Sequence, residues 1–140
     1  MTFRSTRPAP SHLALVALIL FLWHGALGAD YVLERFALSQ PEWPALMRTL
    51  PFVELWQVVV WAGAVWLGVA AAIFLVLRDN ASVLLFFCAA ACGLALGPTL
   101  ATLPAGTLMF PGWALAALMV VLPGFGWLYA RALNRANVLN

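Results

Sequence analysis

Residues 80–130 read NASVLLFFCAAACGLALGPTLATLPAGTLMFPGWALAALMVVLPGFGWLYA and contain no Asp, Glu, Lys, Arg or His. Residues 55–77 form a second run without charged side chains, in which Gln57 is the most polar residue. A soluble domain of 140 residues has too small an interior to enclose both runs, so they must contact lipid. Only 9% of the residues are charged, whereas a soluble domain carries about 25%. The sequence therefore predicts an all-α integral membrane protein, organised as one domain over residues 1–140.

Four stretches are long and apolar enough to cross a membrane as helices. Crossing a hydrocarbon core of roughly 30 Å takes about 20 mostly apolar residues. Arg78, Asp79 and Asn80 separate two of the stretches by a tight polar turn, and Pro98 bends or ends the third. We therefore predict four transmembrane helices at about residues 12–28, 52–77, 81–100 and 113–129.

The distribution of the seven arginines predicts the orientation of the chain. Basic residues in short loops stay on the cytoplasmic side of a membrane. In a four-span chain, most of the arginines fall at the end that carries both termini, so we predict that both termini are cytoplasmic. That end carries Arg4, Arg7, Arg78, Arg131 and Arg135, and the opposite end carries Arg35 and Arg48.

The first span also has the features of a cleavable signal peptide. Arg4 and Arg7 precede a short apolar stretch, and small residues follow it at 26–29. We expect the segment to be retained as a helix, because its removal would leave three spans with the amino end outside.

The segment between the first two spans, residues 30–50, is the longest predicted extramembrane stretch. Its apolar residues recur at helical spacing among charged ones, and Pro41 and Pro44 divide it into two pieces. We therefore predict a periplasmic amphipathic loop of two short surface helices, with Trp43 at the depth of the lipid headgroups.

His24 lies within the predicted first span, about one turn from its outer end. Neutral imidazole is a good axial ligand, so one hypothesis makes His24 bind a haem or a bacteriochlorophyll. The other hypothesis, which we favour, places His24 beside Trp23 in the interfacial aromatic belt, where water or headgroups satisfy it. His12 lies roughly 18 Å away along the helix, too far for both histidines to hold one haem.

The tryptophans indicate membrane anchoring more than cofactor binding. Trp56, Trp61 and Trp66 recur every five residues, a spacing that spreads them around a helix instead of lining one pocket. Cys88 and Cys92 lack the further ligands that a structural metal needs. Apart from the hypothesis on His24, we predict no cofactor, no metal and no catalytic residue. The predicted interfacial anchors are Trp43, Trp56, Trp113 and Trp127.

Small residues recur every four positions on the second and third spans. Such stripes let helix backbones approach closely, which adds dispersion contacts where lipid supplies no hydrophobic drive. We predict that the two spans pack face to face through them. The stripes are Ala64, Gly68 and Ala72 on the second span, and Ala89, Gly93 and Gly97 on the third.

The sequence Pro123-Gly124, followed by Gly126, interrupts the fourth span near its cytoplasmic end. Broken helices expose backbone groups to solutes in transporters. We expect a simple kink instead, because transport sites also need a polar partner at mid-depth.

Five short segments, namely Asp30-Tyr31, Pro41-Glu42-Trp43, Val60-Trp61-Ala62-Gly63, Leu77-Arg78 and Ala81-Ser82-Val83, carry a family resemblance. Together they resemble a group of small proteobacterial four-span membrane proteins that are often labelled sugar transporters. The resemblance covers roughly residues 30–97 and implies a location in a bacterial inner membrane. It assigns no binding residue.

Two better-known four-span families differ from this chain at the residues that carry their chemistry. Small multidrug exporters need a glutamate within the first span, and Asp30 and Glu34 lie beyond its predicted end. Proteins similar to vitamin K reductase need Cys-x-x-Cys, whereas three residues separate Cys88 from Cys92. The net charge of +2 is too small and too scattered for a nucleic-acid partner.

Two functions remain. We favour a non-catalytic accessory subunit of a larger membrane complex, such as a respiratory or photosynthetic one, whose partners are membrane lipids and other integral membrane subunits. The apolar, Trp-rich spans without internal polar sites indicate this role, and under it the chain is not an enzyme. The alternative is a small transporter or channel that works as an oligomer, which the interrupted fourth span and the family resemblance favour.

Overall fold

The computed structural model describes residues 8–36, 54–102 and 111–139. Within these ranges the chain is all-helical and has no strand. All four helices are long and apolar enough to cross a membrane, which confirms the predicted four-span fold. The first residues of the predicted periplasmic loop, 30–35, belong to helix α1, and the rest of the loop, with Trp43, lies outside the described residues. The helices are α1 (Leu13–Arg35), α2 (Leu55–Val76), α3 (Ala81–Ala101) and α4 (Gly112–Arg135).

Helices that follow one another in the chain pack side by side. The contacts between α3 and α4 and between α2 and α3 are extensive, while α1 rests chiefly on α2. We call the end of the bundle where α1 starts and α4 finishes the termini end, and the opposite end the loop end. Which of the two faces the cytoplasm stays a prediction.

A short polar turn joins α2 to α3 and reverses the chain. Arg78 lies two residues after Val76, the last residue of α2. It adopts the left-handed conformation with a φ of 62°, which ends the helix. The Oδ1 atom of Asp79 accepts a hydrogen bond from the backbone N–H of Ala81 at 2.7 Å, and Ser82 Oγ donates to the Asp79 carbonyl at 2.8 Å. These bonds satisfy polar groups at the start of α3 and hold α2 and α3 antiparallel.

Helix α1 is about two turns longer than the sequence indicates, because it continues past Gly28 to Arg35. Gly28 is buried, and a Cβ atom there would lie 3.4 Å from Val65 Cγ1 and from the Trp66 ring of α2. This glycine therefore allows two helices to approach instead of ending one of them.

Helix α4 runs without interruption through Pro123, which is buried inside it. Pro123-Gly124 therefore does not interrupt the fourth helix, and the expected kink stays a prediction. Gly126 has a packing role, since a Cβ there would lie 2.9 Å from the Phe86 ring of α3. Pro98 likewise lies inside α3, whose last turn closes when Thr102 Oγ1 donates to the carbonyl oxygens of Pro98 and Thr99.

Helices α2 and α3 pack together, but two glycines of the predicted stripes face other helices than the predicted ones. Gly68 faces His24 of α1, and Gly93 faces the backbone of Met119 on α4. A Cβ at Gly97 would meet nothing within 4 Å, so this member of the stripe is at no described interface. The other stripe residues, Ala64, Ala72 and Ala89, are buried. Position in the chain makes α2 and α3 neighbours, but it does not decide which face of each helix meets the other.

The buried side chains form two clusters, one toward each end of the bundle. The termini-end cluster includes Leu20 of α1, and the loop-end cluster includes Leu27 of the same helix. The termini-end cluster also holds Val138 and Leu139, because Nε and Nη2 of Arg78 donate to the Val138 carbonyl at 3.2 and 3.1 Å. The segment after α4 is thereby fixed against the α2–α3 turn.

Candidate functional site

His24 lies between the two apolar clusters, at the middle of α1. Eleven residues separate it from each end of the helix, which places it about 16 Å from either end. Its side chain is fully buried. The predicted position of His24 one turn from the end of its helix is therefore wrong, because α1 extends two turns beyond the point where the sequence ends it. Its burial in the bundle does not favour the role of an interfacial belt residue.

The imidazole ring of His24 packs directly on the backbone of α2 at Gly68. A Cβ atom added at Gly68 would overlap Nδ1, Cε1 and Cγ of the ring, so no larger residue fits there without movement. Gly68 thus leaves the space that the buried, titratable side chain of His24 occupies. Both residues are named in the sequence-based predictions, but with other partners: His24 with lipid headgroups or a macrocycle, and Gly68 with the third span.

Neither ring nitrogen of His24 has a hydrogen-bond partner among the described residues. The indole N–H of Trp23 is also buried and unpartnered. A buried polar group without a partner costs roughly 1–3 kcal/mol in proteins, and more in a medium that offers no hydrogen bonds. Ionisable or polar side chains within a membrane are rare and mark functional positions by default. His24 is therefore the described residue with the strongest claim to a function.

The close packing around His24 does not favour its predicted role as an axial ligand. A haem or bacteriochlorophyll needs an open space beside one ring nitrogen, wide enough for a flat macrocycle. The closed core around His24 does not offer that space, and α1 would have to leave α2 to create it. No cluster of three potential metal ligands occurs in the described ranges. The axial-ligand role of His24 stays a prediction that this geometry does not favour.

A groove of about 440 Å³ follows the seam between α1 and α2 on the termini side of His24. Ala17 and Ala72 are fully buried at its floor, and large exposed aliphatic side chains form its walls. The sequence does not predict this groove, although Ala14 and Ala17 are spaced for one helix face. The lining residues are Ala14, Ala17, Leu18, Phe21, Ala72, Ile73, Val76 and Leu77.

Two further polar side chains, His12 and Tyr129, lie together at the termini end, where α1 begins beside α4. The ring of His12 meets the ring of Tyr129 edge to face at 5.7 Å, and Tyr129 stacks on Phe125 at 6.0 Å. The hydroxyl of Tyr129 is buried and has no hydrogen-bond partner among the described residues. His12 is exposed, so this cluster differs from His24 in its access to solvent.

The predicted anchors lie toward the helix ends. Trp56 is exposed in the first turn of α2, where its indole N–H donates to Glu54, and Trp113 is exposed in the first turn of α4. Trp127 lies about two turns from the end of α4 and receives the guanidinium of Arg131 over its ring at 5.5 Å. Their depth in a bilayer stays a prediction.

Comparison of the chain with protein-family models, with curated proteins and with solved structures finds no match. The resemblance to four-span proteins labelled sugar transporters therefore stays a prediction. The fold shown here is a four-helix multi-pass membrane protein.

Proposed function

We propose that the chain is a non-catalytic accessory subunit of a larger membrane assembly, such as a respiratory or photosynthetic complex. In this role the groove between α1 and α2 receives a transmembrane helix of another subunit. The observation that carries the proposal is the shape of that groove, a floor of alanines between ridges of large aliphatic side chains.

The groove has the features of a helix-packing site in lipid. Helices associate when the side-chain ridges of one fit the grooves of another, and small residues at the contact let the backbones come close. Ala17 and Ala72 supply the small residues, while Leu18 and Val76 stand exposed at its sides. An inserted helix gains dispersion contacts on three sides, whereas flexible lipid chains lose conformational freedom when they fill the same space.

The weak attachment of α1 within the bundle also supports the proposal. Helix α1 has one main neighbour, and its outer face carries the exposed residues Leu15, Ile19 and Leu22. Membrane helices with a single neighbour in their own chain leave most of their surface to lipid or to other subunits. A partner that docks along the groove would contact α1 and α2 together and complete the packing of α1.

The test is to fill the groove and ask whether partners are lost. Ala14 is exposed at the edge of the groove, so Ala14→Trp places an indole inside it without changing the core. Ala117→Trp is the matched control, because Ala117 is exposed on α4, away from the groove. Each variant is purified from its native membrane in mild detergent and analysed by native gel electrophoresis and mass spectrometry.

We expect the wild-type chain and the Ala117→Trp variant to migrate with unrelated membrane subunits, and the Ala14→Trp variant to lose them. Equal retention of partners by both variants would show that the groove is not the docking site. Self-association alone, together with solute uptake in proteoliposomes, would overturn the proposal in favour of an oligomeric transporter or channel.

A further inference from the structure

We propose that the segment after α4, residues 136–139, is a strap that holds the termini-end half of α1 on the bundle. When the strap is released, this half of α1 tilts away while α2, α3 and α4 stay together. The inference concerns the chain by itself and does not rest on the accessory-subunit role, so it holds for either proposed function.

The end of α4 fixes the direction in which the strap leaves the helix. Asn137 adopts the left-handed conformation with a φ of 56°. Its backbone N–H donates to the carbonyl of Asn134, and the N–H of Val138 donates to the carbonyl of Leu133, both at 3.0 Å. These two bonds form a Schellman motif, which commonly brings the residue after the turn into hydrophobic contact with the last turn of the helix. Val138 and Leu133 accordingly belong to the same termini-end cluster.

The strap is attached to the α2–α3 turn as well as to α4. The guanidinium of Arg78 donates two hydrogen bonds to the Val138 carbonyl, and bonds from a charged donor are stronger than those between neutral groups. The side chains of Val138 and Leu139 are only 4% and 6% exposed. Release of the strap would return both aliphatic side chains to solvent, so the closed form is the stable one while these attachments are intact.

Helix α1 depends on such a support because its two halves meet α2 differently. In the loop-end half, His24 packs on Gly68, and Gly28 lies close to Val65 and Trp66. In the termini-end half, the groove of about 440 Å³ follows the seam between the two helices. Direct contact of α1 with α4 is slight. The termini-end half of α1 is therefore held chiefly through the buried cluster to which the strap belongs.

The strap lies beside the start of α1. Val138 and Leu139 share the termini-end cluster with Leu13 and Ala17 of α1. Val138 also borders a cavity of about 470 Å³ whose lining includes His12, the residue before α1. The strap therefore connects the start of α1 with the α2–α3 turn and with the end of α4.

Pulsed EPR on the full chain in lipid nanodiscs tests the proposal, with Cys88 and Cys92 replaced by alanine. Three pairs of spin labels, all at exposed positions, report on α1 against α3 at the termini end, on α3 against α4 toward the same end, and on α1 against α3 at the loop end. In that order, the pairs are Leu15→Cys with Leu84→Cys, Leu84→Cys with Leu128→Cys, and Ala29→Cys with Leu94→Cys.

Two aspartate substitutions differ only in whether they open the strap. Leu139→Asp places a carboxylate where a buried aliphatic side chain lies, and Asn137→Asp is the matched control, because Asn137 is exposed and aspartate tolerates its left-handed conformation. A tilt of about 20° at His24, within the ordinary scatter of helix crossing angles, moves Leu15, roughly 14 Å away along the axis, by about 5 Å. We therefore expect Leu139→Asp to lengthen the termini-end α1–α3 distance by about 5 Å and to leave the other two distances unchanged. Asn137→Asp should leave all three distances unchanged.

A second way to release the strap keeps the test decisive. Arg78→Met removes the guanidinium from the Val138 carbonyl and should give the same change, so it decides the question if Leu139→Asp does not fold. The proposal is overturned if the termini-end α1–α3 distance stays as in the wild type, or if Asn137→Asp lengthens it equally. It is also overturned if the α3–α4 distance lengthens by as much, because the strap would then fill the core without holding α1 in particular.

Discussion

The substitution Gly68→Ala tests whether the contact between His24 and α2 is as close as the structure has it. Alanine is normally favoured over glycine within a helix, by about 1 kcal/mol in water. At this position the new methyl group would overlap three atoms of the His24 ring. The helix-forming preference and the packing therefore act in opposite directions, and their sizes decide the outcome.

The packing effect is the larger of the two. Restoring ordinary van der Waals contact between the new methyl group and the ring requires a displacement of about 1 Å or more. The ring is rigid and enclosed, so the displacement must move α1 as a whole. Overpacking of a filled interior costs about 1–3 kcal/mol, and a rigid ring against backbone belongs at the upper end. We therefore expect Gly68→Ala to lower the free energy of unfolding by about 2 kcal/mol after the helix-forming gain is subtracted.

Two further variants make this measurement specific. Gly97→Ala is the control, because a Cβ there meets nothing within 4 Å and only the helix-forming preference acts. His24→Ala in the Gly68→Ala background removes the overlapping ring and should restore part of the lost stability, as a double-mutant cycle would show. Stability is measured by circular dichroism during denaturant titration in detergent micelles.

The expectation fails if Gly68→Ala is as stable as Gly97→Ala. It also fails if removal of the His24 ring gives no recovery in the Gly68→Ala background. Either result would mean that the ring does not lie against Gly68 in the folded protein.

Two other substitutions probe the remaining close contacts, by the same titration. Gly93→Ala should lower the free energy of unfolding by about 3 kcal/mol, because the new methyl group would overlap the Met119 carbonyl of α4, and backbone moves less readily than a side chain. Arg78→Met should cost about 2 kcal/mol through loss of the charge-assisted hydrogen bonds to Val138, whereas Arg131→Met should cost under about 1 kcal/mol, since its contact with an indole ring is exposed. Equal effects of the two arginine substitutions would contradict the proposed fixing of the segment after α4.

The number and order of the helices follow from sequence because they depend on length and hydropathy alone. A run such as residues 55–77 has one stable arrangement in lipid, a helix that satisfies its own backbone hydrogen bonds. The polar turn at Arg78 likewise fixes the antiparallel return of α3. None of these features requires knowledge of which side chains meet across the bundle.

The end of α1 and the partners of the glycines depend on tertiary contacts that sequence does not contain. Gly28 has the appearance of a helix stop, but its contact with Val65 and Trp66 makes it an interior position. Gly68 and Gly93 belong to clear stripes, yet each serves a helix other than the predicted one. The rotation of a helix about its axis is set by all its neighbours at once, and the α1–α2 groove arises only after that rotation is fixed.

The error at the end of α1 changes the meaning of His24 more than that of any other residue. One turn from a helix end, an imidazole is hydrated at little cost, whereas at mid-helix both ring nitrogens lose water and gain no partner within the described part of the chain. Packing alone does not call for a histidine here, because an apolar side chain of similar volume could occupy the space over Gly68 without unsatisfied nitrogens. What distinguishes histidine from such a residue is its capacity to bind a proton near neutral pH. At the solvent-exposed His12 that capacity costs nothing, whereas at His24 it is set against two ring nitrogens that have no partner among the described residues.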